Sequence, residues 1–158
     1  MKEDAVLKTC ILIVQHFKQR LDAHTHTRIF SHILHPEIDY IYEGQSEKVK
    51  QEAARIEHVV PCKVLTIETK KLIREAKYSD LEIAQFLRKN WRVAKITKEE
   101  AKFLDNSPNN KSNPGLGLRC SMPDGWCFLK DDPLARLKEA NITLIGSIAA
   151  NKSLKQDK

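Results

Sequence analysis

Residues 4–22 place Val6, Cys10, Val14, Phe17 and Leu21 at steps of three and four, which makes one apolar stripe of a helix. A second, shorter helical pattern over 25–35 carries Ile29, Ile33, Phe30 and Leu34 and stops at His35-Pro36. Ile38–Tyr42 is short and apolar, and closes at Gly44; Ser46 then suits the N-cap of a third helix over 46–55. Residues 56–61 are strand-like and β-branched up to Pro61. Residues 64–76 return to a helical period, with Leu65, Leu72 and Ile73 inward. Ser79-Asp80-Leu81-Glu82 is a capping box and opens a helix over about 80–89, with Leu81, Ile83, Ala84 and Leu87 inward. A second strand follows over 91–96. Thr97-Lys98-Glu99-Glu100 is another capping box, opening a helix to about 105 with Ala101, Phe103 and Leu104.

The loop chemistry of 106–117, rich in Asn, Ser, Pro and Gly, predicts a linker. Beyond it, 118–128 is extended and turn-rich, Asp132-Pro133 caps a last helix to about 140, and 151–158 is a polar tail. This pattern predicts an α+β fold, mostly helical. Its centre is two short strands and a helix embedded in other helices. One domain is expected over 1–158: a helical region 1–54, a core 55–105 with a helical insertion 64–89, the linker 106–117, and a substrate-contacting segment 118–150.

Composition changes this picture little, but charge does. Lys and Arg number 27 against 21 Asp and Glu, and the net charge of +6 favours a polyanionic partner. With no apolar run near the ~18 residues a membrane helix needs, and no signal-peptide pattern, the chain is expected in the cytoplasm, away from membranes. There a disulfide framework from Cys10, Cys62, Cys120 and Cys127 is not expected; none of them forms a Cys-x-x-Cys pair.

The candidate chemistry lies at the strand ends. Hydrolysis of a phosphodiester needs a base for water, neutralisation of phosphate charge, and a stabilised leaving oxygen. Glu57-His58 stands at the head of the first strand-like run. Asn90 precedes the second, and Glu99 and Glu100 lie in the first turn of the helix after it. A neutral imidazole at His58 suits the base. Carboxylates at Glu57 and at Glu100 or Glu99 suit a hard divalent cation, and the Asn90 amide can fix the loop that orients the histidine. Adjacent strand side chains point to opposite faces, so the reading requires a bend near 57–58.

Glu57-His58-Val59-Val60-Pro61, then Asn90 before a strand, then a helix, resembles the HNH (ββα-metal) endonuclease motif, of a restriction-type or phage-encoded kind. The resemblance covers about residues 55–105. It implies His58 as general base, Glu57 as metal ligand, Asn90 as organiser, and one Mg²⁺, Mn²⁺ or other divalent ion. The chain differs from compact members in the long His58–Asn90 spacing and in carrying Glu99-Glu100 where His or Asn is usual. The function so implied is metal-dependent hydrolysis of DNA, with a homodimer placing one site on each strand. Two alternatives stay open: a non-catalytic module that binds nucleic acid or inhibits a protein, and an RNA-cleaving toxin.

Basic residues cluster around the motif, and Lys63, Arg92 and Lys95 are candidates for phosphate contact. In the segment after the linker, Arg119, Ser121 and Trp126 are candidates for reaching into a groove. His24, His26 and Arg28 suit phosphate contact or an ordinary surface.

Overall fold

In the computed structural model, residues 2–32, 41–49 and 54–146 are described. The first helix, α1 (Lys2–Gln19), buries its predicted stripe of Val6, Cys10, Val14 and Phe17, with Ile13 added. A single turn, α2 (Ile29–His32), follows; Ile33 and Leu34 of the second predicted helix lie outside the described residues. Phe30 in this turn packs edge-on between Phe17 and Trp91, at ring separations of 6.3 and 5.5 Å.

Strands β1 (Tyr42–Ser46) and β2 (Ala54–His58) come next, then the helices α3 (Cys62–Glu75) and α4 (Asp80–Asn90). Strand β3 (Val93–Thr97) runs straight into α5 (Lys98–Asp105), and the chain continues to α6 (Ala135–Glu139) and β4 (Leu144–Ile145). The fold is α+β and mostly helical, around a mixed sheet of strand order β2-β3-β1-β4. Helix α1 packs along α4 and touches α3, and α5 packs on β2 and β3.

The helix expected over 46–55 from Ser46 is corrected. Ser46 ends β1 opposite Leu144, its side chain fully buried, and β2 is under way at Ala54. A capping residue is a weak local signal, and pairing with strands distant in sequence overrides it. The short strand β4 carries no pattern that would announce it.

The strand expected over 56–61 is shifted: β2 spans Ala54–His58, and the chain bends at Val59-Val60 before α3. Both capping boxes form: Ser79 with Glu82 at the start of α4, and Thr97 with Glu100 at the start of α5. Helix α3 starts at Cys62, directly after Pro61, whose ring suits a helix start. Two predicted core positions are corrected: Leu81 is 48% exposed and Phe103 39% exposed. Ile83, Ala84 and Leu87 carry the buried face of α4, and Ala101 and Leu104 that of α5; Leu81 and Phe103 fall off these faces.

The stretch 106–117 is not a loose connector. It turns back on α5, where Leu116 and Leu118 donate backbone hydrogen bonds of 2.8 Å to the carbonyls of Phe103 and Leu104. The last carbonyls of a helix have no partner within it, and here the returning chain supplies one. Gly115 lies where a Cβ would stand 2.3 Å from the Phe103 carbonyl oxygen, so only glycine permits this approach. The closed loop delivers Leu118–Cys120 to the end of β2.

Candidate functional site

Strands β2 and β3 are antiparallel with unbroken register, Glu57 opposite Ala94 and His58 opposite Val93. The expected bend falls just after the pair, at Val59-Val60, where both side chains are fully buried. Glu57 and His58 nevertheless line one cavity of about 460 Å³. Its other walls include Arg55, Lys63, Asp105 and Arg119, together with Cys62 and Cys120.

His58 is part-buried, and its Nε2 lies 3.3 Å from the Phe30 carbonyl oxygen, which the Trp91 indole N–H also reaches at 3.2 Å. A carbonyl only accepts, so Nε2 carries the proton and the neutral ring keeps its lone pair on Nδ1. Burial lowers the pKa of His58 below its ordinary value of 6.5, and the nearby Arg136 guanidinium adds to the shift. The Phe30 carbonyl and the Glu57 charge oppose it only partly. The ring is therefore neutral at neutral pH, as a base must be.

Glu57 is held from two sides. Its Oε1 accepts from Arg136 Nη2 at 2.9 Å, and Oε2 lies 3.1 Å from Arg55 Nε. Arg55 and Glu57 are two apart on β2 and share a face. The Arg55 guanidinium also reaches Asp105 at 3.5 Å, so it bridges the two carboxylates of the cavity. Arg136 is fully buried. Besides Glu57 it donates to the carbonyls of Leu118 (2.9 Å), Val59 (3.4 Å) and His58. One side chain of α6 thus ties the end of β2 to the returning loop. It holds the backbone carbonyls of His58 and Val59.

The remaining predicted residues fall elsewhere. Asn90 is fully buried at the end of α4 and donates to the carbonyls of Phe86 and Phe128, both at 2.9 Å. It organises the segment around Phe128, while the orientation of His58 rests on Phe30. Glu99 and Glu100 line a separate cavity with Lys48, Thr97 and Phe103. Glu100 is spent on structure: one oxygen takes the Ser46 hydroxyl at 2.6 Å, the other the Thr97 N–H at 2.9 Å. Glu99 is exposed and pairs with Lys102 at 3.0 Å. Of the predicted nucleic-acid contacts, Lys63 and Arg119 reach the cavity. Arg92 pairs with Glu43 at 3.3 Å, and Trp126 donates its indole N–H to the Asp132 carbonyl at 2.9 Å. Lys95 sits mid-strand in β3, and Ser121 is exposed; neither lines the cavity.

The donors gathered at Glu57 do not fit the expected Mg²⁺ or Mn²⁺. Both carboxylate oxygens already face guanidinium groups, and the partner carboxylates Glu99 and Glu100 open onto another cavity. Among the described residues no three of His, Cys, Asp and Glu stand together as a metal would require. What the site offers is a neutral imidazole beside cationic side chains. Arg55 was legible as the i−2 neighbour of Glu57 on a strand; Asp105 and Arg136, which are brought in by tertiary packing, were not. Comparison of the chain with protein families, characterised proteins and solved structures finds no match.

Proposed function

We propose that the protein is a nuclease that cleaves phosphodiester bonds in the cavity at the end of β2, with His58 as the general base. The observation that carries this reading is the neutral His58 ring in a cavity also walled by Arg55, Lys63 and Arg119. The cations would bind the phosphate and offset the charge that builds on it, the task given to the metal in the resemblance described above. Lys63 and Arg119 are exposed and pair with no described side chain, which leaves them available for this.

A base and a cationic clamp suit RNA better than DNA. RNA carries its own nucleophile, the 2′-hydroxyl. Its proton passes to Nδ1 of His58, O2′ bonds to phosphorus, and the P–O5′ bond breaks. The leaving 5′-oxygen takes a proton from solvent, and the product ends in a 2′,3′-cyclic phosphate. Cleavage of DNA needs an activated water, and a donor set suited to a divalent ion would favour it.

The test is incubation of the protein with single-stranded RNA and DNA, in EDTA and with added Mg²⁺ or Mn²⁺. The expected result is RNA cleavage in EDTA, cyclic-phosphate ends by mass spectrometry, and loss of at least ~10²-fold in rate for His58→Gln, the usual worth of a general base. DNA cleavage that requires the metal would restore the metal-dependent reading. Binding without cleavage of either polymer under any of these conditions would replace the enzyme with a binding module.

A further inference from the structure

The cavity at His58 does not stand alone. It shares Thr27 and Lys63 with a second hollow of about 390 Å³, which continues past Thr66 and Ile67 along α3. That hollow shares His24 and Thr25 with a third, of about 400 Å³, lined also by His16, Arg20 and His26. Through these shared residues the three hollows are neighbours in series, the first at the end of β2, the second against α3 and the third at the end of α1.

Each hollow is lined by at least one Lys or Arg, and among the described residues no acidic side chain lines the second or third, although Asp22 pairs with Arg74 of the second at 3.5 Å. The two acids of the first, Glu57 and Asp105, are bridged by Arg55. In the second hollow Lys70 and Arg74 hold the 21–23 backbone, donating to the carbonyls of Ala23 (2.9 Å) and Leu21 (3.1 Å). That holds the backbone leading into His24 and Thr25, which line both hollows. Arg20, in the third, is exposed and its side chain pairs with no described side chain, like those of Lys63 and Arg119 in the first.

We infer that this series of hollows is the track of one single-stranded nucleic acid, running from the His58 cavity over Lys63 to Arg20 and the histidines of the third hollow. The inference rests on the nuclease reading of the first hollow and names its substrate class. Hollows of this volume fall in the range of small-ligand sites, ~300–1,000 Å³, and admit a nucleotide at a time. A duplex, whose major groove alone is about 12 Å wide, cannot enter them. Spaced cations match a phosphate backbone, and the exposed Ile56 and Ile67 give apolar steps between them. Among the described residues no Phe, Tyr or Trp lines the hollows, so contact falls chiefly on the phosphate backbone, with the imidazoles of His16, His24 and His26 in the third.

The experiment is fluorescence anisotropy in EDTA on 2′-O-methyl RNA strands, which lack the nucleophile and stay intact. Strand lengths run from about 4 to about 16 nucleotides, the range of known single-strand site sizes. Affinity is expected to rise with length and then level off, with duplexes of the same sequence binding at least ~10-fold more weakly. Arg20→Ala, far from the reacting end, is expected to weaken long strands about 3- to 10-fold and leave the shortest unchanged. Its salt slope is expected to fall by about 0.7, the worth of one lost single-strand phosphate contact. Length-independent affinity, equal binding of duplex, or an Arg20→Ala variant indistinguishable from wild type at every length would each overturn the track. Length-dependent binding without RNA cleavage leaves the track standing and removes the nuclease. Cleavage with length-independent binding does the reverse.

Discussion

Removal of Arg136 puts the site's architecture to the test. Its side chain has no exposed surface and donates to Glu57 and to three backbone carbonyls, of His58, Val59 and Leu118. Arg136→Ala strips these acceptors of their partner at once, inside the protein where water cannot replace it. Breaking a buried ion pair from one side costs about 3–5 kcal/mol. Arg55 holds the other oxygen of the same carboxylate but is 50% exposed, so Arg55→Ala is expected to cost only about 0–1 kcal/mol. The contrast decides which guanidinium fixes Glu57. Urea denaturation followed by circular dichroism measures both, and the expected Arg136→Ala loss lowers the melting temperature by about 6–20 °C at ~2–4 °C per kcal/mol. Arg136→Lys keeps the charge but not the planar fork, and is expected to recover only part of the loss. Pairing Glu57→Leu with Arg136→Met removes both charges together and is expected to be far milder than either truncation alone, because no ion is left buried and unpaired. An Arg136→Ala cost below about 1 kcal/mol, or one matched by Arg55→Ala, would show that the buried arginine does not organise this end of the sheet.

Three further outcomes follow from the same structure. His58 has a folded-state pKa below its ordinary value, so between the two the unfolded chain holds a proton that the folded one refuses. Stability from this group is therefore full above about pH 6.5 and declines as pH falls below it, and His58→Gln should remove that part of the acid slope in pH-dependent unfolding curves. The acid limb of the pH–rate profile should likewise lie below the ordinary histidine value; a limb above it would contradict a buried neutral base. Glu100→Ala should destabilise by about 1.5–3 kcal/mol, since a charged acceptor of two buried donors is lost, while the cleavage rate per folded molecule stays unchanged. A rate loss like that of His58→Gln would place Glu100 in the chemistry after all. Gly115→Ala should cost about 1–3 kcal/mol, because the new methyl collides with the carbonyls of Phe103 and Asn106. A neutral result in thermal melts would mean the returning loop is not tied to α5 as described.

Much of the fold was readable along the chain because its signals are local. The stripe of α1, the capping boxes at Ser79 and Thr97, and the β-branched run before Pro61 each act within a few residues. Their physics does not depend on the rest of the molecule. The strand reading put Glu57 and His58 at the head of a run to Pro61, whereas β2 spans Ala54–His58 and the chain bends at Val59-Val60; the two helices expected between them and β3 are present. The element order strand, strand, helix was likewise legible, since it is only a succession of such signals.

What the sequence could not decide is which polar groups meet. Glu57 and Glu100 looked equivalent as carboxylates near strand ends, yet one faces a cationic cavity and the other closes a cap against Ser46. Arg136 lies 79 residues from Glu57, in a short helix with no feature to mark it, and still determines what that carboxylate can do. Periodicity reports which face of an element is apolar. It carries no information about which distant element covers that face, nor about which charge arrives with it. The sequence by itself determined most of the elements and set Glu57 and His58 side by side before Pro61. Only tertiary packing decided that guanidinium groups hold Glu57 and that Lys63 and Arg119 wall the same cavity, because long-range burial selects a charge's partner and local propensity does not.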